Sequence, residues 1–179
     1  MNIDKISMKT IEQLDVKIQE LKNSTNPQKT LHLNLMNTSG DVSIISSFLT
    51  ELRKNKIKLH VSASGNLSGA GIILLTAGRR GKRECSLGTT ISLKGHNTDT
   101  NTYGVIDILK NIYKIDTVKL LGSLDSEENL TVNNINLFKL CDRIAYGGRR
   151  MKNPLLPKKT TSKTKTSNKN KDKKEQTEA

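Results

Sequence analysis

The sequence has no tryptophan, two phenylalanines and three tyrosines, so aromatic residues make up 3% of its 179 positions. That scarcity argues against a nucleic-acid surface built on stacked aromatic side chains. Cys85 and Cys141 have no Cys-x-x-Cys spacing and no neighbouring pair of histidines. A disulfide scaffold and a zinc ribbon are therefore not expected; buried reduced thiols of a cytosolic-type compartment are. Long hydrophobic runs are missing too. The longest, from Gly69 to Gly78, is far too short to span a bilayer. The opening "MNIDKISMKTIEQLD" alternates charged and apolar residues, unlike a signal or transit peptide. The expectation is a soluble, cytoplasmic protein with no membrane contact. No carboxylate pair, Cys/His cluster or phosphate loop stands out, so no metal and no other cofactor is expected.

What the chain has in excess is positive charge, with a formal net charge of +13. Residues 149 to 179 hold eleven Lys and Arg against three Asp and Glu, and almost no large apolar side chains. Such a segment buries too little surface to offset its ordering entropy. The expected organisation is one folded domain over residues 1–148 and a disordered Lys/Thr/Ser/Asn-rich tail over 149–179. Two readings of the tail stand side by side: contact with a polyanion through residues 158–174, or a solvated end with no specific partner.

Within residues 1–148, "MKTIEQLDVKIQELKN" places Ile11, Leu14, Ile18 and Leu21 at helical spacing. "LHLNLM" alternates as a strand, "NTSGD" reads as a turn, and "VSIISSFLTELRKNK" returns to helical period. "IKLHVSA" is a second strand, followed by a small-residue loop and an apolar helix from Gly71 to Ala77. Short strands follow around Cys85 and in "TTISLK", then a loop "GHNTDTNTYG" and a helix "VIDILKNIYKI". A further helix "LTVNNINLFKL" leads to a strand "CDRIAY". Strands alternating with helices in this way predict an α/β fold with a mainly parallel sheet. The turns Asn37–Val42 and Ser64–Gly71 follow parallel strands, where such folds place ligands and where backbone amides can hold an oxyanion.

Taken together, the two turns resemble the proteolytic subunit of the Clp protease. That family reads strand, Asn-Ser-Pro-Gly-Gly-x-Val, helix, strand, Gly-x-Ala-Ala-Ser-Met-Gly, Leu-Leu, Ala-Gly-x-x-Gly-Lys-Arg, then a strand ending in His. Asn37 and Val42 match the first motif; Gly65, Gly71, Leu74, Leu75, Ala77, Gly78, Gly81, Lys82 and Arg83 match the second. The likeness runs from Leu31 to about Leu93 and is traceable to "CDRI". It implies the ClpP/crotonase-like spiral of β-β-α units and assembly into rings, either homo-oligomeric or with other Clp-type subunits.

Departures from that pattern fall on the chemistry. Counting back from Gly78 without a gap, the family's nucleophilic serine falls on Gly69; counting forward from Arg83, its histidine falls on Lys94; and aligned through "NLTV", its aspartate falls on Glu127. The oxyanion turn, with Ser39, Gly40 and Asp41 here and Ala70 opposite, is one residue shorter than the family pattern. A serine peptidase needs a hydroxyl and a base within hydrogen-bond reach, and Gly69 has no side chain. The expectation is a catalytically inactive relative with a structural or regulatory role. One alternative is a divergent ATP-dependent Clp-type serine endopeptidase in which Ser68 is the fallback nucleophile and a desolvated Lys94 its base. A second is an oligomeric platform that binds nucleic acid through its tails. His96 reads as a loop residue, and His32 and His60 as structural residues of the strands. "GRRGKR" reads as a helix exit and turn. The segment from Lys94 to Glu127 is shorter than the family's ring-joining handle, and the chain is expected to open almost directly on its first helix.

Overall fold

Ile3 and Ile6 belong to a strand, so the chain does not open directly on its helix. The computed structural model describes residues 1–25, 27–94, 99–124, 129–146 and 149–152. Strand β1 (Asn2–Ile6) pairs parallel with β2 (Thr30–Gly40), and its register shifts between Ile3 and Lys5. Between them, α1 (Met8–Asn23) starts at Ser7, whose hydroxyl accepts the Thr10 amide, and buries Ile11, Leu14 and Ile18 as their spacing predicts.

The "NTSG" segment is not a turn. β2 continues through it to Gly40 because β1 supplies partners, pairing Lys5 with Ser39 and Ile6 with Gly40. The turn falls later, before α2 (Ile45–Lys54). Next comes β3 (Lys58–Ser64), parallel to β2 from Thr30↔Lys58 to Met36↔Ser64.

From β3 onward the spiral repeat is explicit. β3 lies in the larger sheet, β4 (Asn66–Leu67) crosses to a smaller one, and α3 (Ala70–Ala77) returns. β5 (Arg83–Ser86), β6 (Thr90–Ser92) and α4 (Thr100–Asn111) repeat the pattern. α5 (Thr117–Leu121), β7 (Asn129–Thr131), α6 (Val132–Leu137), β8 (Arg143–Tyr146) and β9 (Arg149–Lys152) complete the described chain. The larger sheet runs β1-β2-β3-β5-β8-β9, parallel except for β9; the smaller runs β4-β6-β7. This is the expected α/β spiral of β-β-α units.

Three details differ from expectation. α4 begins at Thr100, inside the segment read as a loop, with Asp99 as its N-cap. "LTVNNINL" divides into β7 and α6. β9 pairs with β8 from Arg143↔Lys152 to Tyr146↔Arg149, so paired strand reaches past residue 148.

α3 is apolar all round because it is central: Ile72, Ile73, Leu74 and Leu75 are fully buried, between β2 and β3 on one side and α4 on the other. At its exit Gly81 takes φ +83°, and "GRRGKR" forms the expected turn into β5. A buried ion pair then joins β5 to the segment leading into β8. Arg83 Nε and Nη2 donate to Asp142 Oδ2 and Oδ1 at 2.9 and 2.6 Å, and Gly81 N donates to Oδ2 at 2.7 Å. Burial pushes the Asp142 carboxyl up, but these hydrogen bonds and the Arg83 charge outweigh it and hold it below its ordinary value. None of the described helices is long and apolar enough to cross a membrane.

Candidate functional site

The two motif turns meet at the end of β2. Asn37 sits at φ +49° and its Oδ1 accepts the Asn66 amide at 3.0 Å. Gly65 lies directly beneath that oxygen, and a Cβ there would overlap it. Asn37 and Gly65, one from each motif, therefore require each other.

One step along, Ser68 N donates to Thr38 O at 3.0 Å, and a Cβ on Gly71 would come within 2.6 Å of the same carbonyl. The start of α3 thus rests on the backbone of β2. Gly69, the N-cap of α3, takes φ +52° and ψ −127°. A Cβ at Gly69 would overlap the Gly40 carbonyl oxygen and lie 2.7 Å from Asn101 Nδ2. The space a side chain at position 69 would need is filled. Ala70 follows as the first residue of α3, fully buried.

Asn101, in the first turn of α4, uses both ends of its amide on the altered turn. Its Nδ2 donates to Gly40 O at 3.2 Å, and its Oδ1 accepts Val42 N at 2.8 Å. A backbone donor at this turn is thereby taken by the protein's own side chain. Sequence reasoning missed Asn101 because "TDTNTYG" read as loop. The available signal was Asp99, whose carboxylate accepts Thr102 N at 2.8 Å as an N-cap does. The Thr102 hydroxyl and amide hold Asp99 below its usual carboxyl value.

Gly40 cannot carry a side chain either, since a Cβ would lie 2.7 Å from both Cβ and O of Ile6. Ser39 is exposed on the strand. Asp41 is exposed and its Oδ1 accepts Ser43 N at 2.8 Å; that bond, then the Ser43 hydroxyl, lowers its pKa. The carboxylate is used in the turn ahead of α2, and its charge beside Gly40 opposes a second anion there.

The structure does not join Ser68 to Lys94. Ser68 is half-buried, and its hydroxyl makes no hydrogen bond among the described residues. Lys94 is exposed, and its contribution to the fold is a carbonyl that accepts Thr102 Oγ1 at 3.1 Å. A lysine serving as base must be desolvated to lose its proton near neutral pH, and an exposed one is not. Glu127, His96 and residues 158–174 lie outside the described residues.

The remaining reactive side chains lie elsewhere. Cys85 and Cys141 are buried and form no disulfide among the described residues. A hydrogen bond with Cys141, then burial, pushes the Cys85 thiol up, away from thiolate chemistry. His32 and His60 face each other on the sheet surface opposite the helices, rings edge-on with centroids 4.7 Å apart. Among the described residues no three His, Cys, Asp or Glu side chains gather as metal ligands would.

No protein-family model matches this sequence, and no curated protein matches it. Solved structures do. A crystal structure described only as that of an enzyme superposes with TM-score 0.64 at 19% identity, covering 82% of this chain and 94% of that one. A peptidase from Plasmodium falciparum gives TM-score 0.62 at 20% identity, with the same 82% and 94% coverage. The catalytic domain of the Plasmodium falciparum ClpP protease gives 0.64 at 14% identity, covering 81% and 83%.

The fold is ClpP-like.

At these identities the likeness establishes the fold alone. In this fold Gly69 is pressed against the Gly40 backbone, and the adjoining turn is bound by an asparagine from α4.

Proposed function

We propose that this ClpP-like protein does not hydrolyse peptides and acts as a structural or regulatory subunit of an oligomeric assembly. The observation that carries the reading is Gly69, held at positive φ with the Gly40 carbonyl where a side chain would have to go. A nucleophile needs a side chain, and an acyl-transfer site needs free amide donors; here Asn101 takes Val42 N. The exposure of Lys94 weighs against the Ser68–Lys94 dyad.

Labelling with a serine-directed fluorophosphonate tests the proposal, together with hydrolysis of short peptides by the full chain. Neither labelling nor hydrolysis is expected. Labelling of the wild type that disappears in Ser68→Ala overturns it. Assembly is tested by mass in solution. An oligomer is expected to persist when residues 153–179 are removed, and a monomer at micromolar concentration overturns that half.

A further inference from the structure

The face of the larger sheet turned away from the helices carries a cleft of about 390 Å³. His32 and His60 stand at its centre as direct cross-strand partners on β2 and β3. Asn34 and Ser62 lie two residues further along the same strands, hence on the same face. Lys82, Glu84 and Arg143 close the far side, from the turn before β5, from β5 and from β8. The Met1 amino group, which donates to the His32 carbonyl at 3.0 Å, lies at the near side. His32 is eight residues earlier on β2 than Gly40, so this place is separate from the meeting of the two motif turns.

Two observations set this cleft apart. His60 is half-buried, and its Nε2 has no protein hydrogen-bond partner among the described residues, which leaves it available to whatever enters the cleft. The charges around it are also one-sided. Lys58, Arg79 and Lys82 act on His60 as positive neighbours, His32 joins them when protonated, Arg143 lines the cleft, and Glu84 is the one carboxylate in the lining. The surroundings are therefore set for an anion, with imidazole, ammonium and guanidinium groups in one lining.

We propose that this cleft binds the dianionic phosphate group of a small ligand, held by Lys82, Arg143 and the imidazoles of His32 and His60. A dianion matches the excess of cations in the lining, and the cleft volume suits a small molecule. Binding and protonation are then linked. Burial, and after it the surrounding positive charge, holds His60 below its ordinary pKa, and a bound dianion reverses the second of these.

NMR titration of the His60 ring in the full chain tests this, with sulfate as a dianion whose own charge does not change between pH 5 and 8. Sulfate is expected to raise the His60 pKa by about one unit, which by linkage is a tenfold preference for the protonated site. Chloride at matched ionic strength is expected to raise it much less. Glycerol phosphate is expected to compete with sulfate, and acetate is not. Lys82→Ala and Arg143→Gln should each weaken sulfate binding about tenfold, the loss of one charge-assisted contact. Lys82 is exposed, so its variant should fold normally. An equal shift in chloride, failure of glycerol phosphate to compete, or unchanged sulfate affinity in Lys82→Ala each overturns the proposal.

Discussion

Two contacts three residues apart on β2 stand in different relations to the family pattern. At Asn37 and Gly65 the motif residues are present, and each explains the other through one shared space. At Gly40 and Gly69, where we propose that the chemistry has been lost, the space for a side chain is closed by a carbonyl and by Asn101. The first contact joins two strands, and any chain with this crossover must solve it. The second also packs α3 and α4 onto β2, but it is where the proposed loss of chemistry would show. A fold enforces its joints without enforcing its chemistry, so a resemblance in glycines and helix exits does not by itself carry an activity.

That contrast can be broken at four places. The largest effect is expected on the scaffold side, where Asp142→Asn leaves Arg83 buried without its anion. Breaking a buried pair costs about 3–5 kcal/mol, read as a lowered midpoint in urea. The same carboxyl has its folded pKa depressed, so its contribution is complete above the unfolded value near pH 4. It is lost as pH falls through the lower folded value. The wild type should lose stability on acidification through that window, and Asp142→Asn should lose less.

Gly69→Ser comes next. If the site merely lacked its hydroxyl, the substitution would restore labelling by a phosphonate. The overlap with Gly40 O predicts destabilisation of about 3 kcal/mol and no labelling. A stable, reactive Gly69→Ser variant would sink the contrast.

Gly65→Ala should cost about 2 kcal/mol, from positive φ and from overlap with Asn37 Oδ1. In an Asn37→Gly background the overlap is gone, and about half of that cost should vanish. A double-mutant cycle with no coupling would show that the two motif residues do not depend on each other.

The smallest effect is expected for Asn101→Ala, at about 1–2 kcal/mol, because two hydrogen bonds are lost and water reaches Val42 N. Unchanged stability would mean that the asparagine only occupies space.

Much of this could be read in the chain before any coordinates. The period of α1, the alternation in β2 and β3, and the small-residue approach to α3 all follow from local pattern. β1 could not be read that way. Its register shift puts the buried Ile3 and Ile6 three residues apart, so the period of two that marks a strand is absent. The last residues of β2 have poor strand propensity and are extended because β1 pairs with them, a non-local cause. Within the site, the small-residue approach at Gly69 was legible because flanking glycines mark it. Asn101 was not, because its role depends on α4 reaching back across the chain to Gly40 and Val42.

The contact at Gly69 also governs the order in which this sequence can change. The obstructing oxygen belongs to the main chain of Gly40, so no substitution at position 40 removes it. A side chain at 69 becomes admissible only after the Gly40–Val42 turn is lengthened or moved, and moving it first means giving up the Asn101 bonds. Insertion must precede substitution, and neither step alone is favourable. Position 69 is entrenched: single-residue variation can erode the site further, but rebuilding it takes several coordinated changes.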